Sequence, residues 1–175
     1  MQDSFDDLGH FEAVLTSQGL SGALAFLNRR APHRYTAVYQ LAGDKMLNLA
    51  IYDRLGELVS PLPPTPNGNS FCQHVLPGQA FISENVLNDP RLTTHFQRGV
   101  INSYVGLPLS RGPLHLYGTL CQMDPGAQQL SEGQYLFLQQ VAPRLLAYLD
   151  TDIERAPAPA SPRQVPRPRK ALQTR

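Results

Sequence analysis

The stretch SYVGLPLSRGPLHLYGTLCQMDP, residues 103–125, decides the fold. It contains two short apolar runs, 103–110 and 116–124, bounded by serine, glycine, proline and aspartate, and this is the pattern of strands separated by a turn. The turn falls on the Arg-Gly-Pro sequence at 111–113. The stretch therefore predicts two adjacent antiparallel strands.

A second hairpin is predicted upstream, over TAVYQLAGDKMLNLAIYD at 36–53. Apolar and polar side chains alternate on both sides of Gly43-Asp44, and such a pair between alternating runs is typical of a tight β-turn. AFISE, residues 80–84, predicts one more short strand. We expect five or six strands in a mostly antiparallel sheet.

Helical patterns stand at both ends of this strand region. Apolar residues at helical spacing cover 4–17 and, after an interruption at Gly19 and Gly22, continue for a further run. The C-terminal pattern SEGQYLFLQQVAPRLLAYLD begins with the capping residue Ser131 and contains Pro143, which predicts a kink. Helices flanking an antiparallel sheet predict a layered α/β (α+β) architecture.

The segment between the hairpins is dense in turn formers. Four prolines with asparagine and glycine in 60–69 predict an irregular loop. SFCQHVLPG, residues 70–78, predicts a short helix with Asn69 or Ser70 as its N-cap. Residues 85–103 are polar and predict a second irregular segment.

Length and charge divide the chain into a domain at 1–152 and a tail at 153–175. The tail is rich in proline and arginine and poor in large apolar residues, so we expect it to be disordered. From Arg155 onward there are six basic residues and no acidic one, while the rest of the chain has nine basic and fourteen acidic residues. The tail predicts at most weak, nonspecific contact with nucleic acid, because it has no aromatic residue for base stacking.

The expectations for cellular location and cofactors depend on sequence patterns that the chain lacks. No apolar run approaches the roughly 18 residues of a membrane span, and the acidic, polar N-terminus is unlike a secretory signal. Two cysteines are too few for a disulfide framework. We therefore expect a cytoplasmic protein without a membrane contact. The five histidines form no metal-ligand pattern, so no metal or cofactor is predicted.

Five segments in a fixed order resemble the GAF domain family. They are SFCQHVL (70–76), NDPR (88–91), SYVGLPL (103–109), YGTLCQMDP (117–125) and LSEGQYLFLQQVA (130–142). The resemblance covers about 5–150, and the chain is similar over this range to GAF sensors of bacterial histidine kinases and diguanylate cyclases. It implies a six-stranded antiparallel sheet with helices on one face and loops around a ligand pocket on the other.

The resemblance also implies a bacterial stand-alone sensor in signal transduction, which binds a small molecule or a partner and reports it by a conformational or dimer change. No kinase, cyclase or DNA-binding segment follows, so we expect an unknown signalling protein to receive the output and the chain to form a homodimer. A degenerate GAF domain that acts only through protein interaction is the alternative. The residues that the resemblance places around the pocket are Tyr39, Tyr52, Phe71, His74, Asn85, Asp89, Phe96, Tyr104 and Thr119.

Cys72 and Cys121 are the candidate redox thiols, and burial in the core is the alternative interpretation of both. One enzymatic GAF group, the free methionine-(R)-sulfoxide reductases, needs an attacking thiolate and a resolving thiol. The cysteine positions that this group implies fall near 104–106, where the chain has none. The sequence therefore favours a protein that is not an enzyme.

Overall fold

The computed structural model describes residues 3–155 of the chain. Two long helices enclose the sequence of strands, and three single-turn 3-10 helices lie in the loops. In chain order the elements are α1 (Asp3–Arg29), β1 (Tyr35–Ala42), β2 (Lys45–Asp53), β3 (Thr65–Pro66), β4 (Phe81–Ser83), β5 (Ser103–Ser110), β6 (Leu116–Asp124) and α2 (Glu132–Arg155), with 3-10 turns at Asn67–Asn69, Phe71–His74 and Pro90–Leu92.

The strands form one six-stranded sheet in the order β3-β2-β1-β6-β5-β4. All neighbouring pairs are antiparallel, which confirms the predicted sheet and both predicted hairpins. The β1–β2 turn contains Gly43 at φ 62°, a backbone conformation that suits glycine because the Cβ of any other residue would be sterically strained there. The long strands β1, β6 and β5 occupy the middle, and the two shortest strands, β3 and β4, form the edges.

Both long helices pack on the same face of the sheet, where the larger of two hydrophobic cores lies. Helix α1 covers β1 and β2, and α2 covers β5. The expected interruption of α1 is confirmed at Gly19, whose φ of 66° and ψ of −163° are not helical. The turn of the backbone there lets both halves of α1 bury their apolar sides against the sheet.

Two local predictions in the loops were wrong in detail. Residues 60–69 are not wholly irregular, because Thr65–Pro66 pairs with Lys45 and Met46 as the edge strand β3. Proline is tolerated there since an edge strand leaves one side without ladder bonds. The short helix at 70–78 is a single 3-10 turn, and its N-cap is Ser70, whose Oγ accepts the Cys72 N–H at 3.0 Å.

Helix α2 begins with a capping box. The Gln134 N–H donates to Ser131 Oγ at 3.3 Å, and the Ser131 N–H donates to Gln134 Oε1 at 3.2 Å. The helix continues to Arg155 and so includes the first three residues of the predicted tail; residues 156–175 lie outside the described part of the chain. None of the helices within 3–155 is long and apolar enough to cross a membrane.

Candidate functional site

The face of the sheet opposite the helices carries a second core, called here the loop-side core. Strand alternation turns every second side chain of β1, β5 and β6 toward this face. The loop segments between β3 and β5 close over them. The buried members of the loop-side core are Ala37, Met46, Phe71, Cys72, Val75, Phe81, Val86, Leu92, Ile101, Tyr104 and Cys121.

The centre of the loop-side core is nearly filled. The Tyr104 and Phe71 rings stack with centroids 5.2 Å apart, and both side chains are fully buried. A small pocket of about 30 Å³, called here the inner pocket, lies there with Tyr39, Cys72 and Tyr104 in its wall. Burial raises the pKa of Tyr39 and of Tyr104, so both phenols are neutral hydrogen-bonding groups. The inner pocket of about 30 Å³ is close to the volume of one water molecule.

A larger opening, called here the outer cleft, lies above this core and has a volume of about 410 Å³. It separates two loop segments, 68–74 and 91–96, which carry the single-turn helices. Aromatic, imidazole, amide and hydroxyl side chains share the wall with one arginine. The lining residues are Gly68, Asn69, Gln73, His74, Arg91, Thr94, His95 and Phe96.

Two imidazoles in the wall of the outer cleft contact each other at a tilt, with ring centroids 5.8 Å apart. His95 stacks on Phe71 at 3.8 Å, and His74 stacks on Phe81 at 4.8 Å, so the rings also form the roof of the loop-side core. Burial lowers the pKa of both histidines, and for His74 the neighbouring His95 and Arg91 add to the effect. Both rings are therefore neutral at pH 7.

The hydrogen bonds of the two imidazoles differ. His95 Nδ1 accepts the Gln97 N–H at 3.2 Å, which leaves Nε2 to carry the proton of the neutral ring. The Nε2 atoms of both His74 and His95 are buried and have no hydrogen-bond partner among the described residues. An unsatisfied buried nitrogen costs free energy, so a state of the loops in which it meets a polar group would be favoured.

Arg91 brings little net charge to the outer cleft. Its guanidinium donates to both carboxylate oxygens of Asp89 and to the Ile82 carbonyl, and it lies 4.4 Å above the Phe81 ring. The Arg91 partner holds the pKa of Asp89 well below its usual range, so the pair stays ionised and internally neutralised. Asp89 also caps the Pro90–Leu92 turn by accepting the Arg91 N–H.

Comparison with known proteins tests the fold. No family model and no curated protein matches the sequence. The GAF domain of an Acinetobacter phosphoenolpyruvate-protein phosphotransferase superposes with a TM-score of 0.71 at 15% identity, over 90% of this chain and 98% of that one. The phycocyanobilin-bound GAF domain of a cyanobacterial phytochrome gives a TM-score of 0.67 at 14% identity, over 87% and 96%.

The chain has the GAF domain fold.

A Neisseria meningitidis free methionine-R-sulfoxide reductase, solved with its substrate, has the same GAF fold. It superposes with a TM-score of 0.67 at 18% identity, over 87% of this chain and 92% of that one. Domains with different activities therefore share this architecture with the chain. A shared fold does not fix the function, which depends on the residues of this chain.

The GAF fold brings most of the predicted pocket residues to the loop face, in two groups. Tyr39, Phe71 and Tyr104 line the small inner pocket, and the buried Thr119 contacts it through Cys72. His74 and Phe96 line the outer cleft. These two groups meet where the His95 ring stacks on Phe71.

Three predicted residues lie elsewhere. Tyr52 packs against the helix-side core, because it pairs with Thr36 and so shares the sheet face opposite to Tyr39. Asp89 binds Arg91 and does not line the cleft itself. Asn85 is half-buried in the loop after β4, and its side-chain oxygen has no partner among the described residues.

Sequence reasoning missed His95 and Arg91 as lining residues. Nothing in the alternation of apolar residues could place His95, because it lies in an irregular segment and reaches the site only by stacking on Phe71. Arg91 was within the quoted NDPR motif, and an aspartate two residues before an arginine is a signal for the local ion pair that fixes it.

A second groove, of about 260 Å³, lies on the helix side between α2 and β5. It is lined by Leu107, Pro108, Tyr135, Gln139 and Pro143, with smaller residues around them. No charged side chain lines this groove, and it lacks the paired imidazoles of the outer cleft. The outer cleft is therefore the better site for a polar small molecule.

Proposed function

We propose that this GAF domain is a sensory domain that binds a neutral, ring-containing polar small molecule in the outer cleft. The observation that carries the proposal is a cleft of about 410 Å³ with two neutral imidazoles in its walls, each with a buried Nε2 that has no hydrogen-bond partner among the described residues. Clefts of this size suit small organic ligands.

The chemistry of the wall supports that ligand class. Phe96 has a side chain three-quarters exposed at the cleft and offers an aromatic surface for a ring to cover. Asn69 and Gln73 provide amides, and Thr94 provides a hydroxyl, for hydrogen bonds. The Asp89–Arg91 pair is internally neutralised, so the site offers no net charge for a strongly ionic ligand.

Signalling would follow from the position of the ligand between two loop segments. Contact with both 68–74 and 91–96 favours one relative position of these segments over others. A ligand shifts such an equilibrium only by its difference in affinity for the two states. The predicted homodimer or an unknown partner would then receive the change, which remains part of the proposal.

Native and denaturing mass spectrometry of the freshly purified full chain tests the proposal, followed by a thermal-shift screen of neutral heterocyclic metabolites. We expect a non-covalent extra mass that denaturation removes, or a compound that raises the Tm. Phe96→Ala should weaken binding at least tenfold, because it removes the exposed aromatic surface.

Gln139→Ala is the matched control, since Gln139 lines the helix-side groove and not the outer cleft. If Gln139→Ala weakens binding of a ligand and Phe96→Ala does not, the ligand binds in the helix-side groove, and the outer cleft is not its site. A chain with no bound mass and no thermal shift would favour the alternative, a GAF domain that acts only through protein interaction.

A further inference from the structure

The two cysteines of the chain lie next to each other beneath the outer cleft. Cys72 is in the Phe71–His74 turn, and Cys121 is on β6 and faces the same side of the sheet. Both are buried, with 4% and 0% of their surfaces exposed, and both are free thiols. Thr119, whose hydroxyl lies 3.2 Å from the Cys72 sulfur, is two residues before Cys121 on β6, so strand alternation places the Cys121 side chain beside Cys72 in the loop-side core.

Hydroxyl groups surround the Cys72 sulfur to an extent that simple packing does not require. Thr119 Oγ1 donates to Sγ at 3.2 Å, and Tyr104 Oη donates to it at 3.4 Å. The Ser70 hydroxyl is a further neighbour. An apolar core would accept a small thiol without these groups, whereas donors aimed at one sulfur stabilise its thiolate form.

The same contacts set the order of ionisation of the two thiols. The neighbouring Cys121 thiol and the hydroxyls of Ser70, Thr119 and Tyr104 lower the pKa of Cys72, although burial opposes this. The Cys72 neighbour and burial raise the pKa of Cys121. Cys72 is thus the thiol that can attack, and Cys121 is the thiol that stays protonated beside it.

Cys72 borders a space for a small reagent. Cys72 lies in the wall of the inner pocket of about 30 Å³, together with Tyr39 and Tyr104. This space suits a molecule near the size of water and excludes bulky disulfides such as oxidised glutathione. Cys72, and not Cys121, lines this pocket, and the Cys121 thiol donates to the Ala37 carbonyl at 3.6 Å, so Cys72 meets the reagent first.

We propose that Cys72 and Cys121 form a peroxide-reactive pair that closes into an intramolecular disulfide. The Cys72 thiolate attacks one oxygen of hydrogen peroxide, the O–O bond breaks, and hydroxide leaves and takes up a proton to become water. The product is a sulfenic acid on Cys72. The Cys121 sulfur then attacks the Cys72 sulfur, the S–S bond forms as the Cys72 S–O bond breaks, and the released hydroxide takes up the Cys121 proton to become a second water. Two thiols are oxidised by two electrons and one peroxide is reduced to two waters.

The test exposes the reduced full chain to hydrogen peroxide at stoichiometric amounts and follows its intact mass. We expect the loss of two hydrogen atoms, a peptide map that links Cys72 to Cys121, and full reversal by dithiothreitol. A chain that keeps both free thiols, or one that forms only disulfides between chains, would overturn the proposal.

Variants separate the two steps. In Cys121→Ser the reaction should stop at the Cys72 sulfenic acid, which dimedone traps, and in Cys72→Ser the Cys121 thiol should remain reduced. Thr119→Val keeps the shape and removes one donor, so disulfide formation should slow about threefold as the thiolate is less stabilised.

Tyr104→Phe provides a second donor variant in case Thr119→Val does not fold. Circular dichroism and Tm confirm that the variants compared are folded. Equal rates in the parent and in every folded donor variant would show that the hydroxyls have no part in activating Cys72, and would count against the proposal. Ligand binding in the outer cleft does not enter this test, so its outcome is independent of the proposed function.

Discussion

His33 is a fully buried imidazole whose two ring nitrogens have no hydrogen-bond partner among the described residues. It lies in the connection between α1 and β1, with the charges of Asp124 and Arg54 nearby. Burial lowers the pKa of His33 to about 4, Asp124 offsets part of this effect and Arg54 adds to it. The folded chain therefore holds His33 neutral where an unfolded chain would protonate it.

The pKa of His33 predicts a loss of stability in mild acid. Below pH 6.5 the unfolded state binds a proton at His33 that the folded state does not, so the free energy of unfolding falls as the pH drops from 6.5 to about 4. Below about pH 4 both states bind the proton, and His33 lowers the stability no further. His33→Leu should remove about 2.5 kcal/mol of the difference in unfolding free energy between pH 7 and pH 4.5. The pKa values of His74 and His95 are also lowered, so these two histidines should still contribute to the pH dependence of stability in His33→Leu.

Urea unfolding at pH 7, 5.5 and 4.5 measures this effect. The parent should lose more stability over the series than His33→Leu does. An identical pH dependence in the two proteins would contradict the assignment of a neutral buried His33.

At the scale of elements, β6 is held in the middle of the sheet by a close approach of two backbones. A Cβ at Gly118 would lie 2.0 Å from the carbonyl oxygen of Tyr39 on β1. Backbone atoms cannot rotate away as a flexible side chain can. The pairing of β1 with β6, which supports the cores on both faces of the sheet, therefore depends on the absence of a side chain at Gly118.

Gly118→Ala should destabilise the domain by about 2–3 kcal/mol, because the strands must separate locally to admit the methyl group. Gly133→Ala is the control: a Cβ there meets nothing within 4 Å, and alanine favours helix α2 by up to about 1 kcal/mol. Denaturant unfolding of both variants measures the difference. Equal stabilities of the two variants would contradict the close approach.

At the scale of the whole molecule, the sheet divides the chain into layers with different local stability. The strands β1, β5 and β6 are paired on both sides and covered on both faces by the two cores. The segment 84–102 is held mainly by short-range turn bonds, such as His95 N–H to the Leu92 carbonyl and Val100 N–H to the Gln97 carbonyl. It also carries the exposed apolar residues Leu87, Phe96 and Val100.

Hydrogen exchange should therefore separate the layers. We expect amides of 84–102 to exchange at least about a hundredfold faster than those of β6, because they open without breaking the sheet. Exchange followed by mass spectrometry measures both segments in one sample. Protection of 84–102 equal to that of β6 would contradict the layered stability, and selective protection by a ligand would support the outer cleft as its site.

The sequence alone determined the local elements, because these depend on near neighbours. Alternation around Gly43-Asp44 predicted the first hairpin, apolar spacing with the Ser131 cap predicted α2, and the break at Gly19 was visible as a glycine in a helical pattern. The order of motifs also predicted the GAF fold, which the superpositions confirm. The predicted homodimer, signalling partner and tail at 153–175 stay predictions.

Only the tertiary structure decided how the site is composed. Whether Tyr52 faces the loops or the helices depends on its pairing with Thr36, and a period of two gives no sign of which face is which. His95 reaches the cleft because a loop folds back onto Phe71, and Cys72 meets Cys121 across 48 intervening positions in the chain. Such contacts join residues distant in sequence, and a local pattern carries no information about them until the sheet has brought them together.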